Sequence, residues 1–533
     1  MSPELKALIR KEWQQQQKYF WVMLLILIGL ETVLLLLNPE LAVLFLVLTA
    51  LSSCYLGIMV ASSVVNSEST ARTDSFYQSL PVARQTKAAV KLSMGGVVLL
   101  TPLCLAYVYD FLLIQLCAFL DILSPKSLEG LNPDFGNNSI WKLAIFSLIV
   151  ALSFYLWTAG IAHRAGTFIR TAASGLAILV FAGFMFSLPI LFVVMFPTNA
   201  RAISQVELEQ MYSIVMLLNS WNPLVPFAIL SDMDISKELP NIALVVQFIV
   251  AAALAFEFIR NYGTETPEVK RDFVLRITSW FSDSWMEWTT SRLQSNILAN
   301  QPNRHSVTRL LISQQLRSQR PLLFLLLLLG CYLGVYPVIY AWNKSLLPLR
   351  QSANDILLPL FFTIGLPGMI LLGTTVFLPD RSLTIQSFWR SLPLSPTRWL
   401  TTKFLSSLLV SCFCLLGPFL LMNILFNAYG WPTTILVRGC CHLVAHFTLA
   451  ASLFWLIGNP LHSAVLTIGY SALIHGIFMA IGPGFHYGPS FDLLLTSQVG
   501  AHTGMFYLIF GLLMLPPLVL LVRQRRQYRL TAW

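Results

Sequence analysis

The sequence predicts an all-α, polytopic membrane protein: about 12 transmembrane helices in two parallel six-helix repeats, each half entered by an interfacial elbow helix. Three observations predict it. Of the 533 residues, 56% are hydrophobic and 11% charged, with a mean hydropathy of +0.70, whereas a soluble chain carries about a quarter charged residues. The apolar residues fall in runs that reach the roughly 20 residues a helix needs to cross a bilayer, and lipid, which offers backbone groups no partner, selects helices as the spanning form. Finally, a polar island between two apolar runs, Glu68 to Lys91, recurs at Asp380 to Lys403 with an ungapped offset of 312 (380 − 68).

In chain order, residues 2–18 are amphipathic. Leu5, Leu8, Ile9 and Trp13 follow helical spacing on one face, and Lys6, Arg10, Lys11 and Lys18 supply positive charge. This reads as a helix in the cytoplasmic interface before the chain turns into the membrane. No cleavable signal is expected at the first apolar run. Six spans follow in the first half, near 19–37, 41–65, 92–120, 141–162, 172–196 and 241–259. With the N-terminus inside, the loop 66–91 (Arg72, Arg84, Lys87, Lys91) and the loop 163–171 (His163, Arg164, Arg170) fall in the cytoplasm, as the positive-inside rule requires. The outer stretch 197–240 is too apolar for a plain loop. Pro223 and Pro226 interrupt helix bonding there, so a re-entrant or interfacial hairpin is predicted.

The first half is thus 1–260, and 261–320 forms a cytoplasmic or interfacial linker ending in a second elbow helix; some 60 residues make too marginal a core for a separate domain. Leu310 to Arg320 repeats the N-terminus, with Leu8 on Leu311, Ile9 on Ile312 and Trp13 on Leu316, an offset of 303 (311 − 8). The second half, 321–533, offers spans near 321–341, 356–378, 404–427, 434–457, 463–482 and 501–522, and the basic tail Arg523 to Arg529 ends inside. Two parallel repeats point to a pseudo-symmetric pathway between them.

The net charge of +10 follows the cytoplasmic loops, so membrane lipid and not nucleic acid is the expected environment. The cysteines lie mostly within apolar runs and form no CxxC pair, which predicts free, buried thiols.

The duplicated island carries the functional reading. Phe76 falls on Phe388, Ser79-Leu80-Pro81 on Ser391-Leu392-Pro393, and Lys91 on Lys403, with Glu68 on Asp380 at the start. An elbow helix, two spans, then an acidic residue and a Leu-Pro-Val/Leu-Ser/Ala segment ending in basic residues resembles the permease subunit of ATP-binding-cassette exporters of the type-2 kind. The matching residues are Glu68, Leu80, Pro81, Val82, Ala83 and Arg84, and then Asp380, Leu392, Pro393, Leu394, Ser395 and Arg398. The second copy departs by Pro396, which interrupts it, and by a basic residue two places later than Arg84. The resemblance implies that each loop is a coupling helix, with Glu68, Phe76, Ser79, Leu80, Pro81, Val82 and Arg84, and Asp380, Phe388, Ser391, Leu392, Pro393 and Arg398, engaging a groove on a cytoplasmic ATPase. It also implies two copies of that ATPase, two membrane halves fused in one chain where the family usually has one six-span half, a bacterial inner membrane, both termini in the cytoplasm, and a lipid-like or amphipathic substrate. The chain has no Gly-Lys pair and hence no P-loop. ATP and Mg are therefore expected in the partner, with no cofactor, metal or catalysis in this chain.

His442 and His446 at i, i+4 within Cys440 to His446 resemble a metal-ligand spacing, but such residues also serve as helix contacts; a membrane enzyme with a metal site rests on them. Glu31 and Asp110 are the clearest intramembrane carboxyls, with Tyr107 and Tyr109 placed to satisfy Asp110. A twelve-span secondary carrier is the alternative transporter reading, although the Gly-Asp-Arg-rich loop of the major facilitator type is missing.

Overall fold

The computed structural model describes residues 3–37, 41–65, 82–119, 137–165, 171–179, 181–182, 222, 239–262, 304–342, 365–378, 395–425, 433–481 and, near the end, 508, 510–515, 517 and 519. All regular structure among them is helical: α1 Pro3–Leu37, α2 Leu41–Val65, α3 Arg84–Phe119, α4 Asn137–Ala165, α5 Leu239–Asn261, α6 Arg304–Trp342, α7 Leu366–Thr375, α8 Pro396–Leu425, α9 Thr433–Ile457 and α10 Pro460–Ile481. Among the described residues, three helical segments are long and apolar enough to cross a membrane: Arg84–Leu113, Arg398–Met422 and Cys440–Ile457. Large apolar side chains stand open on the surface, with Phe119 at 83% and Phe248 at 76% exposure. Such exposure is costly in water and costless against lipid tails.

The expected turn between an elbow helix and the first span is absent. α1 is one helix of 35 residues, about 52 Å long at 1.5 Å per residue. Residues 4–28 contain neither Gly nor Pro, so nothing ends the hydrogen-bond ladder where the composition changes from charged to apolar. Its buried stripe, Leu8, Glu12, Gln16, Phe20, Met23, Leu27 and Glu31, runs unbroken through both parts. Of the expected apolar face, Leu8 is buried, while Leu5, Ile9 and Trp13 are only half-buried. The same correction holds for α6, which continues through Pro321 where a second elbow helix was expected to give way to a span.

The start of the third span also differs. α3 begins at Arg84 and α8 at Pro396, so Lys87, Lys91 and Lys403, assigned by sequence to loops, lie inside helices. The N–H of Lys87 donates to the Ala83 carbonyl at 3.0 Å, and that of Trp399 to the Ser395 carbonyl at 3.0 Å. Residues 83 and 395 therefore open their helices at the same position of the repeat. Pro396 does not interrupt the second copy. It is the first helical residue, where a missing N–H costs nothing, and the Ser395 hydroxyl accepts the Arg398 N–H at 3.3 Å as an N-cap.

Elsewhere the punctuation is as the sequence reads. α9 and α10 are separated by Gly458-Asn459: Gly458 takes φ 73°, the left-handed position that closes a helix, and the Asn459 side chain accepts the N–H groups of Leu461 and His462 at 3.0 and 3.2 Å. Within the stretch expected to form a hairpin, Asn222 is buried, donating to the Ala182 carbonyl at 2.8 Å and accepting from Gln247 at 2.6 Å. The remainder of 197–238 lies outside the described residues.

The chain divides into two compact units, Met1–Thr264 with His475–Leu494, and Glu265–Ile474 with Leu495–Trp533. In the first, α1 packs on α3, α2 on α4, α2 also on α1 and α3, and α3 on α4; α5 covers α4 and α3. In the second, α6 packs on α8, α7 on α9, α7 also on α6 and α8, and α8 on α9. The pairings of α1–α4 recur one for one in α6–α9. Glycines set the close approaches. A Cβ on Gly57 would strike the Ala151 carbonyl oxygen and crowd Tyr155 N and Phe154 Cβ; one on Gly373 would strike the Phe447 carbonyl oxygen and crowd Ala450 Cβ and Ala451 N. The partners shift together by 296 (447 − 151, 450 − 154, 451 − 155). Backbone-to-backbone approach of this kind is how helices bind one another in lipid.

Candidate functional site at the roots of the polar loops

Most of the two islands, including Glu68, Phe76, Ser79, Leu80, Pro81, Asp380, Phe388, Ser391, Leu392 and Pro393, lies outside the described residues. Their C-terminal ends are described: Val82 is half-buried, Ala83 and Arg84 are exposed at the start of α3, and Arg398 is half-buried in the first turn of α8. Two turns into each helix a lysine turns inward. Lys91 has 0% exposure and Lys403 has 2%.

Around Lys91 the first unit assembles a polar cluster. Its Nζ donates to the Tyr262 hydroxyl at 3.2 Å and lies 5.5 Å from that ring's centroid. Tyr262, just past α5, is held by Phe258 at 5.2 Å between rings. The buried carboxylate of Glu12 acts electrostatically on Lys91. Glu12 also accepts from Lys11 at 3.2 Å and from Gln16 Nε2 at 3.3 Å. Burial pulls the Lys11 ammonium below its usual pKa, and the Glu12 charge opposes that shift. Beside the cluster, the Tyr155 hydroxyl of α4 donates to the Leu92 carbonyl of α3 at 2.8 Å.

The second unit carries a glutamine where the first has its buried carboxylate. At the offset of 303, Glu12 falls on Gln315 and Gln16 on Gln319, both buried. Gln315 Nε2 donates to the Val376 carbonyl at 3.1 Å and to Ser407 Oγ at 3.2 Å; Gln319 Nε2 reaches the Leu372 carbonyl at 3.3 Å and Thr375 Oγ1 at 3.4 Å. Lys403 Nζ sits 5.1 Å from the Trp399 ring, and Trp399 joins Phe377 and Trp455, each 6.1 Å away. Lys91 and Lys403 thus each have an aromatic face, a favourable setting for a desolvated ammonium.

These clusters tie the helix that opens each half to the helix that follows each island. The sequence reading placed Lys91 and Lys403 at the ends of the repeat but missed Glu12, Gln16, Gln315 and Gln319. The signal was present, since extending the Leu8–Leu311 match by four and eight residues reaches them.

The other candidates fall out as follows. His446 spends both ring nitrogens, with Nδ1 2.7 Å from the His442 carbonyl and Nε2 2.5 Å from Ser471 Oγ, and among the described residues no group of three His, Cys, Asp or Glu side chains is arranged to hold a metal. The described cysteines are free, yet only Cys54 is buried, and Cys104 and Cys331 are exposed, a correction that lipid-facing helix surfaces explain. Tyr107 and Tyr109 do not satisfy Asp110: the Tyr109 hydroxyl pairs instead with Thr32 at 2.6 Å, and both Asp110 carboxyl oxygens lack a hydrogen-bond partner.

Compared with protein-family models, with curated proteins and with solved structures, the chain matches none of them.

Proposed function

We propose that this chain is the transmembrane subunit of an ATP-driven exporter of the ATP-binding-cassette class, moving a lipid-like or amphipathic substrate. Two copies of a separate cytoplasmic ATPase bind ATP and Mg and carry the catalysis. Twelve spans in two parallel six-span repeats, a bacterial inner membrane and cytoplasmic termini complete the reading. The observation that carries it is the duplicated island followed at the same repeat position by a helix start, at Ala83 and at Ser395, with a buried lysine eight residues on at Lys91 and Lys403. The recurrence of the α1–α4 pairings in α6–α9 supports the duplication. Docking of Glu68 to Arg84 and of Asp380 to Arg398 on the ATPase would move α3 and α8 directly, and α1 and α6 through the polar clusters.

The test is purification of the native complex under mild conditions. An ATPase subunit is expected to accompany the chain, and Glu68→Lys with Asp380→Lys is expected to release it or to abolish transport. Recovery of the chain alone, with transport unharmed by both charge reversals, would overturn the proposal. One observation favours a twelve-span secondary carrier instead: Glu31 and Asp110 are buried carboxyls of the kind proton-coupled carriers use. Transport by that reading would follow an imposed proton gradient without ATP.

A further inference from the structure

The first unit contains a second polar feature, remote from the island. On α1 the buried stripe includes Glu31, and on α3 the corresponding stripe of Lys91, Leu92, Val98, Leu99, Leu103, Ala106 and Tyr107 continues to Asp110. Glu31 is 0% exposed and Asp110 1%, and none of their four carboxyl oxygens has a hydrogen-bond partner. Buried polar groups are almost always hydrogen-bonded, and an isolated buried charge is costlier still.

Helix geometry brings the two acids to one side. α1 and α3 run parallel, since Glu12 acts on Lys91 at one end and Thr32 meets Tyr109 at 2.6 Å toward the other. A helical residue turns by about 100° from its neighbour, at 3.6 residues per turn. On parallel helices, the residue before Thr32 and the residue after Tyr109 turn to the same side of the contact line. Glu31 and Asp110 are those residues. α2 packs on both helices and brings Thr49, whose hydroxyl is also buried without a partner. Counted from Leu37, where α1 ends, and Leu41, where α2 begins, Glu31 lies about 9 Å and Thr49 about 12 Å along their helices at 1.5 Å per residue.

We infer that Glu31, Asp110 and Thr49 form a binding site for the protonated amine of an amphipathic compound. The two carboxyls supply four oxygen acceptors without protein partners for the N–H donors of an alkylammonium group. A hard divalent ion needs six or more oxygen ligands. The same level of α3 and α4 instead offers aromatic rings, with Phe111 against Trp141 at 5.0 Å, faces that suit an organic cation. The inference deepens the exporter reading by giving its substrate a charge. It requires no ATPase for its test, so its failure leaves the coupling proposal standing, and the loss of that proposal leaves the site.

The experiment uses the full chain in phosphatidylcholine nanodiscs and radiolabelled octylamine, with octanol and sodium chloride as competitors. Saturable octylamine binding is expected, and Glu31→Gln with Asp110→Asn should weaken it at least about tenfold, as loss of charge-assisted hydrogen bonds does. If the double variant does not fold, the wild-type chain serves: dicyclohexylcarbodiimide modifies buried protonated carboxyls, and octylamine should protect Glu31 and Asp110 from it at fixed pH where octanol does not. Equal protection by octanol, protection by sodium chloride alone, or octylamine binding unaffected in the folded variant would each overturn the inference. A response to pH alone, with no protection by the amine, would make the pair a proton site and overturn it as well.

Discussion

The ammonium nitrogen of Lys91 stands 3.2 Å from the hydroxyl oxygen of Tyr262, 171 residues later in the chain, and both the ring and the Glu12 carboxylate stabilise a charge that has no access to water. Replacing Lys91 by Met takes one cation from the field of the buried Glu12 carboxylate, which keeps Lys11 at 3.2 Å, so the loss should fall below the about 3–5 kcal/mol that follows removal of one partner of a buried pair. Glu12→Gln should cost less still, because Gln315 occupies the equivalent buried position on α6. Combining Glu12→Gln with Lys91→Met should recover most of the loss. Unfolding of the purified variants in detergent measures the cycle; additive losses would show that the two residues do not interact.

The glycine contacts give a prediction with an internal control. At Gly57 and Gly373 an added methyl meets a main-chain carbonyl oxygen, which cannot rotate away. Gly57→Ala and Gly373→Ala should each destabilise by about 1–3 kcal/mol, the range for overpacked sites. Gly29 and Gly96 face open space, so alanine there should be neutral or should stabilise by up to about 1 kcal/mol through helix propensity. The same unfolding assay ranks all four.

At the residue that opens each helix, Ala83 and Ser395, the two halves differ by one hydroxyl. Ser395→Ala removes the cap on Arg398 N and should cost about 1 kcal/mol. Ala83 holds the equivalent place at the head of α3, so Ala83→Ser should stabilise by a similar, smaller amount. Opposite responses from the two substitutions, read by unfolding, are the expected outcome.

What the sequence made legible follows from which signals are local. α2 coincides with the expected 41–65, and α5, α9 and α10 lie within three residues of expected spans, because each is an apolar run bounded by turn-forming residues; Gly458-Asn459-Pro460 is the clearest. The elbow breaks in α1 and α6 were not legible, since a change from charged to apolar composition says where the environment changes and not where the backbone hydrogen bonds stop. Pro396 misled for a related reason. A proline reads as a breaker until a capping serine before it shows that the helix starts there. The buried clusters were half legible: Lys91 and Lys403 mark the repeat, but only the folded helices reveal that Glu12 and Gln16 share the inward stripe with Leu8 and Phe20.

Continuity of α1 is itself testable at Lys18, an exposed residue at the end of the segment expected to lie in the interface. Were the chain to turn there, proline would be tolerated, since its fixed φ and missing N–H suit a helix start. In a helix that runs from Pro3 to Leu37, Lys18→Pro removes the bond to the Gln14 carbonyl and sets its ring against that oxygen, at a cost of about 3 kcal/mol. It would also shift the Glu12 and Gln16 side relative to Met23, Leu27 and Glu31, which belong to one stripe. Lys18→Ala serves as the control, expected to be neutral because the side chain is exposed. A marked fall in unfolding midpoint for proline and none for alanine is the outcome that a single uninterrupted helix requires; equal midpoints would restore the hinge.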